Sequence, residues 1–127
     1  MRVEGVFRAA TATSEVPAGT VIFRSGDSGS EMYGIVSGAV RLESPEGAVV
    51  DIGPDEVFGE MAIIDHEERT ATATAVTDCV LAVIDSRQFL WLVHETPTFA
   101  LQVMRTMARR LRHPWESTGP RSGPNSS

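Results

Sequence analysis

Between residues 6 and 85 the chain is cut into short β-rich runs by glycine, proline and aspartate at close intervals. This cadence limits what the chain can fold into more than any other feature. Val21-Ile22-Phe23, Tyr33-Gly34-Ile35-Val36, Ala39-Val40-Arg41-Leu42, Val49-Val50-Asp51-Ile52 and Val80-Leu81-Ala82-Val83-Ile84 read as strands. Ser25-Gly26-Asp27, Ser37-Gly38, Pro45-Glu46-Gly47 and Gly53-Pro54-Asp55 read as the turns between them, because glycine reaches positive φ and proline presets its own. From Thr70 to Val76 threonine alternates with alanine, which gives a strand one packed face and one hydroxyl face. Many short strands at this spacing point to a small jelly-roll β-barrel.

Beyond Asp85 the period lengthens. Asp85 or Ser86 caps a helix through Arg87-Gln88-Phe89-Leu90-Trp91-Leu92-Val93 that His94 ends. Thr96 and Pro97 open a second helix, as cap and first helical residue. Ala100, Leu101, Met104, Met107, Ala108 and Leu111 recur there at spacings of three and four, a stripe expected to face the barrel. Phe99, Val103 and Thr106 lie off that stripe and offer a dimer face. Arg109, Arg110 and Arg112 complement the helix dipole, and Pro114 stops the helix. The run from Gly119 to Ser127 is rich in Gly, Pro and Ser. The expected organisation is one α+β, mainly β domain at 1–115, a barrel followed by C-terminal helices, with a disordered tail at 116–127.

Composition excludes several chemistries. All eleven basic residues are arginine, so no Walker-type, Schiff-base or general-base lysine is available. His66, His94 and His113 are scattered without ligand spacing, so no metal site is expected, and no Ser-His-Asp arrangement is readable. The single Cys79 forbids an internal disulfide and reads as a small packed side chain. A net charge of −6 argues against a nucleic-acid surface, and the arginines between 105 and 112 read as solvated dipole compensation. No secretory leader or membrane-length span is visible, which points to a cytoplasmic protein with no membrane partner.

The chemistry concentrates in Phe58-Gly59-Glu60-Met61-Ala62-Ile63-Ile64-Asp65-His66-Glu67-Glu68-Arg69-Thr70-Ala71. A Gly-Glu turn opens a helical turn whose first N–H groups lack partners within it. Glu60 accepts hydrogen bonds from a sugar hydroxyl, or caps the helical turn. Arg69 offers a permanent charge and a fixed fork of donors to phosphate oxygens, or pairs at the surface with Glu67 or Glu68.

This run resembles the phosphate-binding cassette of the cyclic nucleotide-binding domain family. The likeness extends through Pro17 to Asp27, Glu31 to Leu42, Gly53 to Glu60 and Met107 to Leu111, about residues 12–112. It implies a non-catalytic regulatory module that binds cAMP or cGMP without a cofactor and moves its last helix in response. By that resemblance Phe58, Gly59, Glu60, Met61, Ala62, Arg69, Thr70 and Ala71 form the ligand site. Glu60 would take the ribose 2′-hydroxyl, Arg69 the cyclic phosphate, and Thr70 a position near phosphate and base. Arg110 and Trp115 are lid candidates over the base, Trp115 being alternatively a terminal anchor. Trp91 reads as packing. The alternative is a member that has lost its nucleotide and acts as an interaction or dimerisation module. In either case the last helix offers a surface to a second copy or an effector protein, and no nucleic-acid contact is expected.

Overall fold

In the computed structural model, residues 12–65 and 68–112 are described, the side chains of residues 110–112 excepted. Eight strands form two four-stranded antiparallel sheets, and three helices complete the fold. The strands are β1 (Thr13–Val16), β2 (Val21–Phe23), β3 (Met32–Ser37), β4 (Val40–Glu43), β5 (Val49–Ile52), β6 (Val57–Phe58), β7 (Thr72–Ala75) and β8 (Cys79–Ile84). The helices are α1 (Met61–Ile64), between β6 and β7, then α2 (Ser86–Glu95) and α3 (Pro97–Arg112). One sheet has the order β1-β8-β3-β6, the other β2-β7-β4-β5.

The alternation of side chains along the strands builds two cores. Ile35, Val40, Leu42, Phe58, Ala73, Ala75, Cys79 and Leu81 point between the sheets. Met32, Val57, Ala82 and Ile84 point the other way and meet Ile63, Leu92, Phe99 and Val103. β3, β6 and β8 of the first sheet are therefore covered on both faces, whereas its edge strand β1 is largely exposed, as are Arg41, Glu43 and Asp51 on the second sheet. In β6 the two residues divide the work, Val57 toward the helices and Phe58 into the barrel. The expected alternation in β7 is present, with Ala73 and Ala75 buried and Thr72 and Thr74 half-buried. Cys79 opens β8 as a buried free thiol and donates to the carbonyls of Ala39 and Thr77, both at 3.2 Å.

Asp85 caps α2 as expected, its side chain accepting from the Gln88 N–H at 2.8 Å. Two expectations about the helices are corrected. Trp91 does not pack; it is 47% exposed, because the inward face of α2 is Phe89, Leu92 and Val93. On α3 the inward face is Phe99, Gln102, Val103 and Thr106, while Leu101 (39% exposed) and Met104 (57%) point outward. Phe99, Val103 and Thr106 are thus core residues rather than a dimer face. The reason lies in volume and hydrogen bonding. Phe99 fills the space beside Phe89 edge-on at 5.8 Å, and buried Gln102 is satisfied in part by donating Nε2–H to the carbonyl of Asp55. Ala100 is half-buried, Met107 packs against the edge of that cluster, and Ala108 is exposed. Trp115, the side chains of Arg110 and Leu111, and the expected tail at 116–127 lie outside the described residues.

Candidate functional site

The segment from β6 to β7 places Arg69 and Glu60 by different means. Gly59 sits at φ 78°, in the left-handed region, so the chain turns sharply out of β6. The next residues close the single turn of α1, with the N–H groups of Ile63 and Ile64 both donating to the Glu60 carbonyl at 3.0 Å. Glu60 occupies the cap position of α1, yet its side chain makes no capping hydrogen bond, so the capping reading does not hold. Its side chain is 2% exposed. Ala62 N–H reaches back to the Gly59 carbonyl at 3.3 Å, which commits one of the N–H groups expected to face a ligand.

Arg69 is strapped at its main chain and seated at its side chain. Its N–H donates to the Asp27 carbonyl at 2.8 Å, and its carbonyl accepts from Gly26 N–H at 2.7 Å. Asp27 closes that turn through its own side chain, which accepts from Arg24 N–H at 3.0 Å. Arg69 is 7% exposed, and its guanidinium lies over the ring of Phe23, with Cζ 4.1 Å from the centroid. Tyr33 is farther, at 5.8 Å. A cation over an aromatic face in a desolvated place contributes about 0.5–2 kcal/mol. Phe23, Tyr33 and Phe58 pack together beneath it, with centroids 5.2 to 6.1 Å apart. Burial pushes the Tyr33 phenol above its ordinary pKa; nearby Glu31 adds to this and Arg69 opposes it.

Nη1 of Arg69 donates to the Gly59 carbonyl at 3.2 Å. Nε is buried and has no hydrogen-bond partner. Among the described residues no carboxylate forms an ion pair with Arg69; the pairs present are Arg41 with Asp51 and His94 with Glu95. The surface pairing with Glu68 is therefore absent, and Glu67 lies outside the described residues. A buried donor without an acceptor costs about 1–3 kcal/mol, and more for a charged group. This geometry fits an anion that arrives from outside the chain.

The remaining site residues fall into two groups. Gly59 and Met61 are half-buried and Thr70 is exposed, beside buried Glu60 and Arg69. Phe58, Ala62 and Ala71 are buried, Phe58 completely, and act from below as packing. Sequence reasoning missed Phe23 and Gly29. A Cβ at Gly29 would stand 2.6 Å from Nε and 2.7 Å from Cζ of Arg69, too close for real atoms. Nothing in the local sequence announces a contact between residues this far apart in the chain. Among the described residues no group of three or more His, Cys, Asp or Glu could hold a metal ion, and no helix is long and apolar enough to cross a membrane.

Comparison with known proteins matches residues 13–96 to the model of the family described as "Cyclic nucleotide-binding domain". The cyclic AMP receptor protein of Thermus thermophilus is 39% identical over 101 residues, which cover 76% of this chain and 47% of that protein. A cyclic nucleotide-gated potassium channel of Mesorhizobium japonicum is 39% identical over 95 residues, covering 75% and 26%. The crystal structure of the Thermus thermophilus catabolite activator protein superposes with a TM-score of 0.70 at 34% identity, over 84% of this chain and 52% of that one. The chain spans about half or less of the length of these curated relatives.

Proposed function

The chain belongs to the cyclic nucleotide-binding domain family, and on that premise we propose that it binds cAMP or cGMP as a non-catalytic regulatory module. The observation that carries the reading is the buried Arg69 guanidinium, which has no carboxylate partner among the described residues and a Nε–H without an acceptor. A cyclic phosphate supplies both the missing charge and the missing acceptor, and in a desolvated place such bonds gain strength. Glu60 selects ribose by accepting from the 2′-hydroxyl. Thr70, exposed beside Arg69, reaches toward phosphate and base. Met61 and the Gly59 turn shape the wall between them, and Phe58, Ala62 and Ala71 support it. The reading involves no bond making, no metal and no nucleic-acid contact.

Output on this reading passes through α3. A nucleotide that contacts a closed arrangement better than an open one shifts the population toward it, and the helix is the part that moves. Isothermal calorimetry with cAMP, cGMP and 5′-AMP tests the proposal. Binding of a cyclic nucleotide, with 5′-AMP much weaker, is expected; silence from all three at millimolar concentration removes it.

A second reading is favoured by the outward Leu101 and Met104 on α3. Here the fold serves as an interaction module, with α3 against a second copy or an effector protein. Light scattering with and without nucleotide separates the two. Association that ignores nucleotide, together with no thermal shift on adding it, supports the second reading.

A further inference from the structure

Arg69 reaches its position with help from residues outside the cassette. We propose that Phe23 and Gly29 are positioning residues for Arg69, fixing which side of its guanidinium an anion meets. The inference takes its ligand from the nucleotide-binding reading, but its geometry stands without it.

Different neighbours meet different parts of the guanidinium. Phe23 covers one face at 4.1 Å, and the Gly59 carbonyl takes Nη1 at 3.2 Å. The Nε–H is left as the buried donor with no acceptor. Phe23 is aimed there by a register shift in the β2–β7 pairing between Val21 and Phe23, the kind of irregularity that redirects a side chain. Gly29 is the complement. Gly19, Gly26 and Gly47 adopt positive φ and have open space where a Cβ would stand, so their backbone explains them. Gly29 does not adopt the left-handed conformation, and a Cβ there would collide with Nη2, Nε and Cζ of Arg69. What position 29 needs is room, and the three nearest atoms that demand it are those of the guanidinium. Since those atoms end a flexible side chain, a methyl at 29 would displace the arginine rather than break the fold.

The test uses the full chain carrying Phe23→Leu, Phe23→Tyr or Gly29→Ala. Two quantities are read: the Arg69 Nε–H resonance in nucleotide-free protein, assigned by its loss in Arg69→Gln, and the Kd for cAMP by calorimetry. A ring beneath the guanidinium displaces that proton resonance upfield. Phe23→Leu is expected to abolish the displacement and weaken cAMP about tenfold, the size of a lost cation–π contact. Phe23→Tyr restores both. Gly29→Ala moves the resonance and weakens cAMP while the thermal unfolding midpoint holds, so the proposal stays testable if Phe23→Leu fails to fold. A wild-type resonance at its random-coil position, or one unmoved by Phe23→Leu and Gly29→Ala, overturns the seat. A resonance that moves while affinity stays within about twofold overturns the positioning role. If the wild type binds no cyclic nucleotide yet shows the displaced resonance, the nucleotide reading falls and the seat is supported.

Discussion

Two pairs of opposite charges sit on this barrel under opposite rules. On the β4–β5 hairpin, Arg41 and Asp51 face each other in register and join through two hydrogen bonds, of 2.8 and 3.1 Å, in open solvent. In the cassette, Glu60 and Arg69 are both buried, and no ion pair joins them. The hairpin pair is complete within the chain and belongs to the surface. The cassette pair is separated and desolvated, and its arginine keeps a donor with no acceptor. A buried guanidinium with an unmet donor costs the fold stability, and on the proposed reading a ligand anion completes it.

The largest effect expected from breaking this contrast is on ligand affinity. Arg69→Ala should weaken cyclic nucleotide binding by about 2–5 kcal/mol, the range for truncating one partner of a buried charge pair. Calorimetry showing an unchanged Kd would return Arg69 to the company of Arg41. Next comes the acid. A 2′-deoxy cyclic nucleotide should bind more weakly than its ribose parent by about 1.5–3 kcal/mol, as for a lost hydrogen bond to a charged group. Equal affinities would detach Glu60 from the sugar.

A smaller effect runs the other way. In nucleotide-free protein, Arg69→Met should raise stability by about 1 kcal/mol, since it removes a buried charge and leaves a flexible apolar chain over Phe23. A lower urea midpoint for this variant would show that Arg69 is a structural charge. The smallest effect belongs to the hairpin, where Asp51→Asn should leave the urea midpoint within scatter because exposed pairs contribute little. The hydrogen bond from Arg41 holds the Asp51 carboxyl below its ordinary pKa, more than burial raises it. The small contribution of that pair is therefore present above the ordinary carboxylate range and lost as pH falls through the depressed value. A marked dependence of stability on Asp51 near neutral pH would erase the distinction between the two pairs.

Much of the barrel was legible because its signals are local. Each strand expected from residue 21 onward is found, and Ser37-Gly38, Pro45-Glu46-Gly47 and Gly53-Pro54-Asp55 all turn the chain, with Gly38, Gly47 and Asp55 at positive φ. The cassette was read through its likeness to a family, and the family is the part that the comparison shows. The facing of α3 was not. Its two sets of apolar residues share the same spacing, so period alone does not say which one faces inward. The choice fell to Phe99, whose ring fills the pocket by Phe89, and to Gln102, a polar residue that a hydrophobic stripe leaves out. Trp91 misled for a related reason, since the largest residue of α2 is not on the face carrying Phe89 and Leu92. The Phe23–Gly29–Arg69 seat was hidden because it exists only once three separate segments converge.

One residue touches both halves of the molecule. The N–H of Asp55 donates to Ile35 in β3 at 2.8 Å, while its carbonyl accepts from Gln102 in α3. Barrel and closing helix therefore pull on a single residue just ahead of the strand that delivers Gly59. Any swivel of the helix against the barrel must tug that residue, which makes it the natural place to listen for the motion with an isotopic label.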